Sequence, residues 1–130
     1  MPATERPPEV QALIASRSNQ IHAKLDYVWG AGAYTSGTLM QAAGQGSALV
    51  FFSMWATGTY FFVTAQMREI HGPSTDTWTN EAAASWMWML CCFRQFKMHG
   101  RLKWAGYSSW SGLMLTTYYS VRAVFARMTA

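Results

Sequence analysis

Between Asp26 and Arg68 the chain runs through residues 27–67 without a single Asp, Glu, Lys or Arg. Shorter charge-free runs follow at 82–93 and 104–121. A helix crossing the hydrocarbon core of a bilayer needs about 20 mainly apolar residues. The first run holds one such helix easily, with room for two short ones, and the last holds one. The middle run suffices only if Arg94 and Lys97 lie at a helix end, where long side chains reach the headgroups.

The charge content points the same way. Only 12% of the 130 residues are Asp, Glu, Lys or Arg, about half the roughly 25% of an ordinary soluble domain. Such a surface faces lipid or is covered by other proteins. The net charge of +4 does not indicate nucleic acid. Its bases stand singly or as the group Arg94, Lys97, Arg101 and Lys103, between apolar stretches, as membrane-flanking charge does.

Residues 9–28 set Val10, Leu13, Ile14, Ile21, Leu25 and Val28 on one helical stripe. This predicts an amphipathic helix on a membrane surface or in a partner's groove, after a Pro-rich start. That start reads neither as a secretory signal nor as a mitochondrial presequence, so any targeting is expected to be internal. Residues 29–47 are uncharged but Gly-rich. They predict a helix packed against protein, or a re-entrant one broken at Gly44–Gly46. Residues 48–67 form the strongest span. Residues 68–81 read as a polar loop, with Gly72 and Pro73 ending one helix and Thr79 or Asn80 capping the next. Spans at 80–98, short or tilted, and at 104–121 complete the reading.

The expected fold class is therefore an all-α integral membrane protein. An N-terminal segment and amphipathic helix, 1–28, precede a membrane domain, 29–130, of about three transmembrane helices within a range of two to four. Three spans place Arg6, Arg17, Lys24, Arg94, Lys97, Arg101 and Lys103 on one side, against Arg68, Arg122 and Arg127. Two spans divide the bases evenly and four divide them six to four. The positive-inside rule thus favours three, with the N-terminus and the 94–103 loop together and Asp76 opposite.

Two kinds of site residue follow. Small residues four apart let helix backbones approach closely, which marks Gly32, Ser36, Gly37, Ser108 and Gly112 as helix-packing positions. Trp29, Arg94, Lys97, Trp104, Tyr118 and Tyr119 have the chemistry and placement of membrane-interface residues.

Catalytic chemistry is not expected. A haem held between helices needs histidines inside the spans, and His22, His71 and His99 lie outside the charge-free runs. Cys91 and Cys92 are adjacent and have no second pair with which to bind metal. His71, Asp76 and Glu81 could gather round a metal but read more simply as solvated loop residues. Neither a nucleophile elbow nor a phosphate loop is present. Trp86–Met89 spread around a whole helix turn, as in a helix that is apolar on all sides. No catalytic residue, cofactor or metal is expected.

The stretch from Leu25-Asp26-Tyr27 through Gly32, Tyr34 and Ser36-Gly37 resembles a Tyr…Gly-Tyr-x-Ser-Gly segment of a small, two-helix accessory subunit of respiratory complex I. The resemblance implies a non-catalytic structural subunit at the periphery of the proton-pumping arm in the mitochondrial inner membrane, and there the positive-inside rule puts the N-terminus in the matrix. Its partners would be other membrane subunits and lipids. The alternatives are a small oligomeric transporter or channel, or a membrane anchor of an enzyme near a quinone or lipid site.

Overall fold

Pro7 and Pro8 open the first helix, where a missing N–H does no harm. In the computed structural model, which describes residues 7–44, 47–99 and 104–129 apart from the side chains at 96, 98, 99 and 104–107, this helix, α1, spans Pro8–Ala42. The chain leaves it through Gly44 at φ 71°, a left-handed conformation that glycine adopts freely. Ser47 starts α2, Ala48–His71, by accepting a hydrogen bond from the Val50 N–H at 3.3 Å. Gly72, at φ 78°, ends it. Ser74 and Thr77 then bond reciprocally, each backbone N–H to the other's hydroxyl, at 3.1 and 3.2 Å. This capping box sets the start of α3, Thr75–His99. The last helix, α4, runs Trp104–Thr129. The described residues are all-α.

The helices pack antiparallel in sequence order. Gly37 meets Met54, while Asn19 bonds the Arg68 carbonyl. Tyr60 bonds Asn80, and Phe61 packs on Trp88. Trp88 bonds Ser108, and Trp86 bonds Ser120. The result is an up-down-up-down four-helix bundle. Along each helix the buried residues recur at alternating steps of three and four. Examples are Ala23, Asp26, Gly30, Ala33, Gly37 and Met40 on α1, and Val50, Met54, Thr57, Phe61, Thr64 and Arg68 on α2. Such seams pack at about +20°.

The seams are unusually polar and the outside unusually apolar. Thr57, Thr64, Thr77, Ser85, Gln95, Ser108, Ser109 and Thr116 are buried. Phe52 is 68% exposed and Met114 is 71% exposed. Val63, Leu90, Trp110 and Phe125 also face outward. Small residues let the backbones meet. A Cβ on Gly58 would stand 2.8 Å from the Gly30 carbonyl oxygen, so α1 and α2 meet there backbone to backbone.

The structure corrects the expected layout in several places. Residues 8–42 form one continuous helix, without a break at 28–29, because the Ala23–Met40 seam needs an unbroken face. The 68–81 loop shrinks to Gly72–Ser74, because Ser74 caps α3 a full turn earlier than Thr79 would. Helix α4 continues past 121 to Thr129. With α1 as a fourth element, antiparallel to α2, the N-terminal end and Arg94–Lys97 fall at opposite ends of the bundle. His22 instead stands beside Trp78, with ring centroids 4.8 Å apart, so residues 18–26 share an end with Asp76.

Candidate functional site

Each helix contributes one seam residue to a buried cluster near the end where α1 and α3 begin. Asp26 comes from α1, Arg68 from α2, Glu81 from α3 and Tyr119 from α4. None of the four is more than 1% exposed. The Arg68 Nε donates to Glu81 Oε1 and lies 3.6 Å from Asp26 Oδ2. The Tyr119 hydroxyl donates to Asp26 Oδ1 at 3.2 Å. Asn19 embraces Arg68 from both sides: its Oδ1 accepts from Nη1 at 3.1 Å, and its Nδ2 donates to the Arg68 carbonyl at 2.8 Å.

Trp78 forms the lid of this cluster. The Arg68 guanidinium carbon lies 4.4 Å from its ring centroid and that of Arg122 lies 4.7 Å away, both within cation–π range. His22 meets the Trp78 ring edge to face. Its Nδ1 bonds the Ser18 carbonyl at 2.8 Å, and its Nε2 lies 2.9 Å from the Tyr118 hydroxyl. A carbonyl can only accept, so Nδ1 carries a proton and donates to it.

Two acidic side chains face one guanidinium in the buried interior. Separating such ions from water costs several kcal/mol each, offset only by close pairing and further hydrogen bonds. Within the described structure, Asp26 Oδ2, Glu81 Oε2 and Arg68 Nη2 have no hydrogen-bond partner. The cluster joins four helices through one cation. Removing that cation would leave two buried carboxyl groups without a positive partner among the described residues. Such an arrangement ties the register of the helices to one another. A second polar seam links α3 to α4. Trp88 Nε1 donates to the carbonyl and hydroxyl oxygens of Ser108, each at 2.9 Å, and Thr116 bonds the Ser85 carbonyl at 2.9 Å.

The residues singled out from the sequence are distributed as follows. A Cβ on Gly37 would lie 2.8 Å from Met54 Cβ, and one on Gly112 2.9 Å from the Trp88 ring. At Gly32 it would approach Trp88 Cη2 at 3.2 Å. Ser36 is half-buried, and Ser108 is buried against Trp88. Trp29 is half-buried in a 330 Å³ apolar groove between α1 and α4. Tyr118, Arg94 and Lys97 are exposed, and the Trp104 side chain lies outside the described residues. Tyr119 is the correction: expected at the membrane interface, it is wholly buried on Asp26. Glu81 turns inward to Arg68, whereas His71 and Asp76 are exposed, so the three do not gather.

Sequence reasoning missed Asp26, Arg68, Glu81, Asn19 and Trp78 as one unit. A signal was present. Asp26 and Arg68 bound the longest charge-free run and Glu81 opens the next, so all three stand where charge stops. No family model, curated protein or solved structure matches the chain.

Proposed function

We propose that this chain is a non-catalytic structural subunit of a larger membrane assembly, crossing the bilayer four times. The observation that carries the reading is the bundle's reversed polarity: hydroxyls, amides and an ionic cluster inside, large apolar side chains outside. Water disfavours that arrangement, whereas hydrocarbon or partner helices accept it. Among the described residues, α2 is the helix long and apolar enough to cross by itself. Its antiparallel neighbours, each at least as long, would cross with it. From Ala48 to Arg68 is about 30 Å at 1.5 Å per residue, the thickness of the core. The ionic cluster then sits at one headgroup level, and Arg94 and Lys97 near the other.

The interior is filled by Met54, Phe61, Trp88 and Tyr119, which favours a scaffold over a channel. The resemblance of residues 25–37 extends the proposal to the mitochondrial inner membrane and the respiratory chain, with the N-terminus in the matrix. Two treatments of native membranes test the reading. The protein should resist alkaline extraction. In mild detergent it should migrate with an assembly far larger than its own 14.6 kDa. Release by alkali refutes the membrane placement, and migration as a monomer or small homo-oligomer refutes the subunit role.

A further inference from the structure

Helix α1 carries a second seam on the face opposite the one it buries. Val10, Ile14, Arg17, Ile21, Lys24 and Val28 recur at alternating steps of four and three, and all are exposed. At about 100° per residue they point away from Ala23, Asp26 and Gly30. The first part of this seam stands clear of the bundle. Every residue from Pro8 to Arg17 is exposed, and the bonds to Arg68 begin at Asn19. From Pro8 to Asn19 the helix extends about 16 Å.

We infer that this outer seam docks a single helix of a partner protein, and that the partner's facing residues are acidic. Three observations carry the inference. The 3–4 spacing, with apolar residues at four of the six positions, suits left-handed pairing with a second helix. A 290 Å³ hollow on the seam is lined by Ile14, Arg17, Ser18 and Ile21, with His22 beside them. The spacing i, i+3, i+4, i+7 of the first four is the set that receives one knob from a facing helix. Finally, Arg17 and Lys24 occupy alternate seam positions, with no acidic residue on that face to neutralise them.

The same features exclude other occupants. A second copy of the chain would bring Arg17 and Lys24 onto an equally basic seam. The bilayer surface is out of reach. Because α1 is one unbroken helix whose second half packs along α2, its first half continues along the bundle axis and cannot lie flat on the membrane that the bundle crosses. This last point rests on the membrane reading above; the seam spacing, the hollow and the charges do not.

Photo-cross-linking in the full-length protein within native membranes tests the inference. A photoreactive residue replaces Ile14, and another replaces Val63 on the exposed face of α2. The expected result at 14 is an adduct to one other protein, through a peptide with Asp or Glu at helical spacing. Its yield should fall about tenfold or more in R17E/K24E and persist in R17K/K24R. Adducts to a second copy or to lipid, absence of an adduct, or indifference to R17E/K24E would each overturn the proposal. Position 63 reports separately on the membrane reading. Quenching by solvent there, with the acidic-peptide adduct intact at 14, would sink the membrane placement and leave the seam standing.

Discussion

Arg68→Met tests the ionic cluster most directly. The substitution keeps most of the side-chain volume and removes the only cation facing Asp26 and Glu81 among the described residues. Arg68 is 1% exposed and both carboxylates are 0% exposed, so solvent screening offers no relief. Breaking a buried pair by removing one partner destabilises by about 3–5 kcal/mol. Loss of the desolvated stacking on Trp78 adds about 2 kcal/mol. Replacing the whole set is a different matter. In R68M/D26N/E81M no buried charge is left, and the amide oxygen introduced by D26N still accepts from Tyr119. That variant should return to within about 1–2 kcal/mol of the parent. Equilibrium unfolding in mixed micelles, followed by tryptophan fluorescence, measures all three proteins. A loss under about 1 kcal/mol in R68M, or a triple variant no better than R68M, would refute the cluster as the pin of the bundle.

Further outcomes follow from the same geometry. Gly58→Ala should lose about 1–3 kcal/mol, because its Cβ meets the unyielding Gly30 carbonyl at 2.8 Å. Gly32→Ala should stay within about 1 kcal/mol, since only the far edge of the Trp88 ring must shift. Both are read in the same unfolding assay. Trp88→Phe removes the indole N–H shared by the carbonyl and hydroxyl oxygens of Ser108 and should cost about 1–2 kcal/mol, with a weakened α3–α4 contact visible as faster amide exchange in α4. With Cys91 and Cys92 replaced, single cysteines at Ser18 and Asp76 should react with an impermeant reagent from one side of oriented vesicles, and one at Lys97 from the other. Position 18 reacting from the same side as 97 would contradict the up-down-up-down crossing.

The sequence by itself determined the helical class, the stretches free of charge and the apolar character of the exterior. Residues 48–67 are legible as a long apolar helix because the signal lies in composition and length, which need no neighbour. Hydrophobic periodicity identified the Val10–Val28 stripe on α1, and in this bundle that stripe faces outward. The inward face is built from Ala23, Asp26, Gly30, Ala33 and Gly37, small or polar residues with no hydropathy contrast to mark them as a seam. Only the tertiary structure decided that face. It also brought Asp26 to Arg68: α1 and α2 run antiparallel, the Arg68 backbone stands beside Asn19, and its long side chain reaches along the seam to Asp26. Tyr118 and Tyr119 show how fine that decision is. They are neighbours of the same residue type, yet a step of about 100° around α4 sends Tyr118 to the surface and Tyr119 onto Asp26. Which of the two enters the core depends on how α4 is rotated against the other three helices, and that rotation is set by packing across the bundle, beyond the reach of local sequence.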